Sequence, residues 1–255
     1  MSDRFSGIGA ALRAYANKDG RGYPDWALRY APIARGLSHA ANARIVEIGA
    51  NQASFARFTG TTTLLIDLER AALVAARAVS SARAIVADAT SLALPDACCD
   101  AVLCIDTLEH IPEALRDTVL REIVRVLKPS GIAVISFPSG SAATDAEARI
   151  RDAYFQSTGD HLRWLEEHAA EGLPNVERVV STFAAAAPRR AVKVEPNANI
   201  RVWEWIWRVM IGGWPGRGNA IAQVLLRVVT PLLTRIHVGT CYRTMIWLQP
   251  EEGRR

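Results

Sequence analysis

The sequence predicts an α/β protein with a mostly parallel seven-stranded sheet and helices on both faces of that sheet. Three observations lead to this fold class. Short apolar segments alternate with helical patterns through residues 44–138, which is typical of parallel strands joined by crossover helices. Segments such as AVLCI (101–105) are apolar throughout, as in strands that are buried on both faces. The length of 255 residues suits one large domain.

The first half of the chain is assigned from its apolar periodicity. Residues 1–40 are predicted to form an N-terminal helical segment, with a helix over 25–39 that Pro32 interrupts. Strands are predicted at 44–49, 63–68, 84–88, 100–105 and 132–138, with helices from Phe55, over 69–79 and over 112–127. KPSG (128–131) is predicted to end the last of these helices and turn the chain. Residues 41–138 therefore form a Rossmann-like core.

Residues 139–255 are predicted to complete the same domain with substrate-side helices and the last strands. The predicted elements are two helices within 139–173, a helix at 175–186, a strand at 191–196, helices at 200–211 and 220–236, and a strand at 243–250. The two later helices form a helical insertion, at about 200–238, that precedes the last strand. Long connections after a strand often cover a binding site.

Charge, cysteine spacing and apolar runs limit the partners and the cellular location that we expect for this chain. The net charge of +4 is too small to indicate nucleic-acid binding, so no nucleic-acid partner is predicted. The four cysteines form no CxxC pair, which favours reduced thiols and a cytoplasmic location. The N-terminal residues lack the apolar core of a signal peptide, and no apolar run reaches the ~20 residues that span a bilayer.

Small and acidic residues follow the predicted strands where doubly wound sheets bind ligands. Gly49 and Asn51 suit a tight turn after the first strand, because both tolerate positive φ. Asp67 ends the second strand, where a carboxylate can accept hydrogen bonds from ribose hydroxyls. Asp88 ends the third, where its carboxylate and the N–H of Ala89 can contact a base. The alternative roles for Asp88 are a helix cap or a turn.

Together these segments carry a resemblance. The strings VEIGANQASF (46–55), LLIDLE (64–69), VADATSLALPDACCDAVLCIDTLEHIPE (86–113) and LREIVRVLKPSGIAVISFP (120–138) resemble the class I S-adenosylmethionine-dependent methyltransferase superfamily. The match covers roughly residues 44–138. In the first loop Glu47 and Gly49 match the family pattern, whereas Asn51 and Ala53 replace its second and third glycines.

The resemblance implies S-adenosyl-L-methionine as the cofactor, and it assigns a role to each matching residue. Glu47, Gly49, Ala50 and Asn51 belong to the loop that holds the methionine end. Asp67 binds the ribose, Leu68 packs against the adenine, and Asp88 with Ala89 contacts the adenine edge. Ile105 lines the floor near the sulfonium.

Catalytic candidates follow the fourth strand in the segment DTLEH (106–110). His110 is the best general-base candidate by position, and Asp106 accompanies it. The alternative is a structural role, since an EHI-type tripeptide is common in this superfamily. Asp106, Glu109 and His110 also resemble a metal-binding set of some members, but no metal is predicted. His161 is the third catalytic candidate, because its connection should cover the acceptor side.

The helices at 200–211 and 220–236 are apolar around most of their circumference. They are predicted either to pack on the sheet, to form a homodimer, or to make a peripheral contact with the inner face of a membrane. Their placement before a strand that begins with Tyr242-Arg243 weakly resembles methyltransferases of surface glycans or lipid-linked sugars.

The predicted function is transfer of a methyl group from S-adenosyl-L-methionine to a small-molecule or glycan acceptor, with an oxygen as the expected site of methylation. The alternative is a non-catalytic protein of the same fold that binds a partner through its apolar C-terminal helices. A nicotinamide-dependent oxidoreductase is disfavoured because the first loop lacks G-x-G-x-x-G. A nucleic-acid methyltransferase is disfavoured because no Asn-Pro-Pro-aromatic motif follows the fourth strand.

Overall fold

The computed structural model describes residues 23–37, 43–49, 54–80, 82–211 and 217–250. Within these residues seven strands form one sheet, as predicted. The strands are β1 (Ile45–Ile48), β2 (Thr63–Asp67), β3 (Arg83–Val86), β4 (Cys99–Ile105), β5 (Leu127–Pro138), β6 (Arg190–Asn199) and β7 (Cys241–Pro250). All four cysteines are free thiols.

The strand order is β3-β2-β1-β4-β5-β7-β6. The pairs from β3 to β5 are parallel, and β7 runs antiparallel between β5 and β6. The order of connection reverses between β1 and β4. In doubly wound sheets a reversal of this kind opens a crevice at the carboxyl ends of the strands, and ligands bind there.

Nine helices surround the sheet in the described residues. They are α1 (Tyr23–Gly36), α2 (Phe55–Thr59), α3 (Arg70–Ala78), α4 (Glu113–Val126), α5 (Gly140–Thr158), α6 (Arg163–Glu171), α7 (Val176–Ala186), α8 (Ile200–Met210) and α9 (Arg217–Leu233). A single 3-10 turn, Leu108–His110, precedes α4. Among these helices none has both the length and the hydropathy needed to cross a membrane.

Strand β4 shows how the sheet is buried on both faces. Val102 and Cys104 point into the core that α4 and α7 cover, whereas Leu103 and Ile105 point into the core beneath α1 and α2. Because side chains alternate along a strand, an uninterrupted apolar sequence supplies both cores at once. The sequence AVLCI is therefore explained by its place in the middle of the sheet.

A third apolar cluster lies outside these two layers and joins α5, α6, α8 and α9 to the start of β7. Trp203 of α8 stacks on Tyr242, with ring centroids 3.6 Å apart. The helical insertion before β7 is thus packed onto the connection that follows β5. These helices form one wall of the site described below.

Two local predictions are corrected. Helix α1 continues through Pro32, because Asn197 donates a hydrogen bond of 3.2 Å to the Leu28 carbonyl that the proline leaves without its usual partner. Residues 128–131 do not form a turn, because β5 begins at Leu127 directly after α4 and the ladder to β4 shifts register there. Pro129 lacks the N–H that a regular ladder requires.

Candidate active site

The turn after β1 fits a residue without a side chain. Gly49 has φ +74°, and a Cβ added there would lie 2.1 Å from Cγ2 of Thr107. The Gly49 N–H donates to the Ile66 carbonyl at 2.8 Å, which fixes the turn against β2. The backbone at the end of β1 is thereby held against β2 and Thr107 at the crevice. Ala50 and Asn51, also predicted to hold the cofactor, lie outside the described residues.

Glu47 is a buried carboxylate at the centre of β1. Its two oxygens accept hydrogen bonds of 2.9 Å from the Tyr30 hydroxyl and from the Phe55 N–H at the start of α2. Burial raises the pKa of Glu47 to about 7, and the two hydrogen bonds oppose that shift. The described contacts of Glu47 connect β1, α1 and α2, so it holds the end of β1 to the start of α2.

The ends of β2 and β3 carry the other residues predicted to hold the cofactor. Asp67 accepts a hydrogen bond of 2.7 Å from the Glu69 N–H, and the adjacent Leu68 side chain is 71% exposed. Asp88 accepts two bonds of 2.7 Å from Thr90, which lower its pKa, and Ala89 is partly exposed beside it. An ionised carboxylate and an exposed apolar side chain at neighbouring strand ends suit a ribose and a flat base.

A cavity of about 590 Å³ opens beside the carboxyl ends of these strands. One side of it is formed by α3, beyond Asp67, and the other by the indole side chains of α6 and α8. Its lining is Asp25, Trp26, Arg29, Glu69, Ala71, Ala72, Ala75, Asp106, Glu109, His110, Trp164, His168, Trp203, Trp207, Met210, Tyr242 and Arg243. The cavity thus extends from α3 and Glu69 to the helices predicted to cover the acceptor, and none of the described residues predicted to hold the cofactor lines it.

Asp106 lies at the centre of a buried network of charges. Its Oδ2 accepts a hydrogen bond of 2.7 Å from Nε of Arg243 and lies 3.2 Å from Nε of Arg29. Both arginines also pair with Asp25, at 3.2 and 2.7 Å. Burial alone would raise the pKa of Asp106, but the two arginines outweigh it and lower the pKa. Asp106 therefore stays ionised, with φ +47°, a backbone conformation that often marks a functional site.

A second buried cluster lies beside the first. His168 is 2.9 Å from Glu147 through Nδ1, and its Nε2 is 3.4 Å from Nε2 of His110 and 3.9 Å from Oε1 of Glu109. Glu147 also accepts a bond of 2.6 Å from the Tyr242 hydroxyl. Glu109 is fully buried, and neither of its oxygens has a hydrogen-bond partner in the described residues.

Within the second cluster, the pKa of Glu109 and the pKa of His110 are shifted in opposite directions. Burial, reinforced by Asp106, raises the pKa of Glu109 well above its usual value. Burial and the neighbouring His168 lower the pKa of His110. Perturbed groups that share a cavity are typical of active sites.

The structure brings two of the three catalytic candidates, Asp106 and His110, to the cavity. His161 does not line it: this side chain is 60% exposed, and it contacts Phe155 and Glu166 just before α6. Ile105 is buried beneath Asp106 in the core on the α1 side.

Sequence reasoning did not single out Arg29, Glu147 or Arg243 as site residues. Arg243 was noted for its YR dipeptide, which is the one signal available for it. Asp25 and Arg29 are four residues apart on α1, a spacing that places them on one face of a helix. No local pattern, however, connects that face to residues more than two hundred positions later.

The chain was compared with protein families and with solved structures. Residues 46–135 match the methyltransferase domain family. No curated protein sequence matches the chain significantly. The family match covers the strands β1 to β5 that supply the crevice and the Asp106 side of the cavity.

Three solved structures illustrate the fold. A S-adenosylmethionine-dependent methyltransferase from Archaeoglobus fulgidus is 15% identical, with 86% of this chain and 92% of that chain covered and a TM-score of 0.53. One from Thermotoga maritima, described as a possible histamine N-methyltransferase, is 14% identical, with 94% and 99% covered and a TM-score of 0.56. A methyltransferase from Haloferax volcanii, bound to its Trm112 activator, is 14% identical, with 98% and 97% covered and a TM-score of 0.57.

Proposed function

We propose that this chain is a class I S-adenosylmethionine-dependent methyltransferase that methylates an oxygen of a small-molecule or glycan acceptor. The match of residues 46–135 to the methyltransferase domain family supports this proposal, and S-adenosyl-L-methionine is the cofactor that it implies. The observation that carries the proposal is a cavity that extends from Glu69, two residues after Asp67, to Asp106, His110 and the indole wall.

The described residues fit this cofactor. The turn at Gly49 has no space for a Cβ because the Thr107 side chain packs against it, and this contact holds the end of β1 at the crevice. In the proposal Asp67 binds the ribose hydroxyls, Leu68 covers the adenine, and Asp88 with the Ala89 N–H contacts its edge. Glu47, Gly49, Ala50 and Asn51 are proposed to hold the methionine end of the cofactor, and Ile105 to line the floor near the sulfonium.

The cofactor supplies an electrophilic methyl group, so the protein's task is to place a nucleophile and exclude water. We assign placement to the network of Asp106, Arg29 and Arg243, because buried ion pairs hold the end of β4 rigidly against α1 and β7. His110 lies next to Asp106 along the cavity and is the residue that takes the proton from an acceptor hydroxyl. We retain His161 as a candidate that acts from the rim.

The opposite wall suggests the shape of the acceptor. The Trp164 and Trp207 rings are tilted at 44° with centroids 5.0 Å apart, and the Trp203 and Trp207 rings are tilted at 49° with centroids 6.1 Å apart. Indole rings offer a large apolar surface to flat apolar groups.

A methyl-transfer assay tests the proposal. Purified full chain, S-adenosylmethionine and a panel of sugars, lipid-linked sugars and aromatic alcohols are incubated, and S-adenosylhomocysteine is measured. We expect product formation that depends on one acceptor class. Trp164→Ala should raise the KM for that acceptor about tenfold or more, whereas the exposed Trp205→Ala should not. Cofactor binding without turnover on any acceptor would oppose the proposal.

One observation favours the alternative of a partner-binding protein. Helix α9 exposes a row of apolar side chains, Val224, Leu225, Val228, Val229 and Leu232. The proposal includes this row as a contact surface for a membrane or for a second copy of the chain. Sedimentation velocity and flotation with anionic vesicles distinguish these two occupants, with Val228→Asp expected to abolish whichever contact occurs. A protein that is monomeric and does not bind the vesicles would exclude both the contact with a second copy and the contact with a membrane.

A further inference from the structure

The cluster of Glu109, His110 and His168 has an unusual arrangement of hydrogen-bond acceptors. Nδ1 of each imidazole faces a carboxylate oxygen at 2.9 Å, from Glu167 for His110 and from Glu147 for His168. An ionised carboxylate can only accept, so each Nδ1 carries the proton and donates it. In a neutral imidazole the other nitrogen, Nε2, then holds a lone pair.

These two lone pairs face each other. The Nε2 atoms of His110 and His168 are 3.4 Å apart, and the Glu109 carboxylate is 3.9 Å from Nε2 of His168. The nearest N or O atoms of all three side chains lie within 4.8 Å of one another. With Glu109 ionised and both imidazoles neutral, three acceptors converge without a donor and repel each other, and a cation between them removes that repulsion.

We propose that Glu109, His110 and His168 bind a divalent transition-metal cation, with Zn²⁺ as the preferred ion. Imidazole nitrogens and one carboxylate oxygen are typical ligands of Zn²⁺. Ligand atoms bound tetrahedrally at about 2.0–2.1 Å are about 3.4 Å from each other, which matches the 3.4 Å between the two Nε2 atoms.

The surroundings of the three ligands support a metal site. Glu147 and Glu167 accept from the Nδ1 atoms, which is how carboxylates orient metal-binding histidines in known sites. Tyr242 donates to Glu147 at 2.6 Å and keeps that carboxylate in place. Both oxygens of Glu109 lack a hydrogen-bond partner in the described residues although the residue is completely buried, and a bound cation would supply that partner.

The arginine side chains nearby are already paired with other carboxylates, so they do not neutralise this cluster. Arg29 and Arg243 are engaged by Asp25 and Asp106, which gives two positive and two negative groups in the neighbouring network. Asp106 therefore pairs with the two arginines and is not included among the proposed metal ligands. Glu109 and Glu147 each have His168 as their ion-pair partner in the described residues.

Three protein ligands leave at least one coordination position open, and all three line the cavity. The inference rests on the proposed function for the occupant of that position, an acceptor hydroxyl whose ionised form the cation favours. In the cation-bound form His110 is a ligand and no longer takes the proton, which is released to solvent.

Calorimetric titration of untagged, chelator-treated full chain with Zn²⁺ tests the inference. We expect one ion per chain. Glu109→Gln should weaken binding by at least tenfold, and His110→Ala, at a partly exposed position, should weaken it similarly. His161→Ala is the matched control, a histidine outside the cavity, and should bind Zn²⁺ as the wild type does.

Binding of S-adenosylhomocysteine by each variant verifies that the fold is intact, independently of the metal. X-ray absorption of the Zn²⁺ form should show two imidazole ligands. If the wild type binds no Zn²⁺, or if Glu109→Gln and His110→Ala bind it as tightly as His161→Ala does, the inference is wrong. Methyl transfer in the presence of a chelator would then still support the proposed function.

Discussion

At the scale of single residues, the account depends most on Gly49. Its φ of +74° and the Thr107 side chain next to it both exclude a Cβ. Gly159 has nearly the same backbone conformation, φ +72°, but nothing lies within 4 Å of a Cβ built there. Alanine substitutions at the two positions therefore separate the free-energy cost of the positive φ from the cost of the contact with Thr107.

Gly159→Ala should therefore lower the free energy of unfolding by roughly 1–2 kcal/mol, and Gly49→Ala by roughly 1–3 kcal/mol more because Thr107 must move. Denaturant unfolding of both variants measures the difference. Equal losses would mean that Thr107 does not restrict the turn.

Glu47 gives a prediction about pH. Its pKa is about 7 in the folded protein against 4.5 as the ordinary value. A carboxyl whose pKa is raised on folding stabilises the fold below pH 4.5, and that contribution is lost as the pH rises through about 7.

Between pH 4 and pH 8, wild type should lose about 3 kcal/mol of stability relative to Glu47→Gln, whose amide oxygen can accept from the Phe55 N–H and whose NH2 group can donate to the Tyr30 hydroxyl oxygen without a charge. Glu177→Gln, at an exposed position on α7, is the control and should follow the wild type. Parallel curves for all three proteins would contradict the burial of an ionisable Glu47.

At the scale of elements, one face of α8 packs against Tyr242 and the helices that line the cavity. Trp203 is fully buried on Tyr242, whereas Trp205, two residues further on the same helix, is 42% exposed. Trp203→Ala should cost about 3–5 kcal/mol in unfolding free energy, and Trp205→Ala less than about 1 kcal/mol. Thermal or denaturant unfolding measures both. Similar losses would show that α8 is not packed by this face.

Most elements could be predicted from sequence because their patterns are local. The apolar strands and the helical spacing of apolar residues in α4 can be recognised without any distant contact. The two errors had distant causes. Helix α1 passes Pro32 because Asn197, from β6, satisfies the Leu28 carbonyl. Strand β5 includes 128–131 because Arg190 donates to the carbonyls of Lys128 and Gly131.

At the scale of the whole molecule, the two halves of the cavity differ in how well the sequence predicts them. The proposed cofactor side adjoins motif residues within 46–135. The proposed acceptor side contains Arg29 on α1, His168 on α6 and Arg243 on β7, which the sheet order brings to Asp106 and Glu109. Their roles depend on charges and distances across the fold, and no short pattern contains that information.

The most direct test of the account is calorimetric titration of the full chain with S-adenosylhomocysteine. We predict binding by the wild type, and binding at least tenfold weaker in Asp67→Ala, because two hydrogen bonds to a charged group are lost. Asp145→Ala, an exposed carboxylate on α5, should bind like the wild type. Absence of binding by the wild type, or equal binding by Asp67→Ala, would contradict the assignment of this crevice to the cofactor.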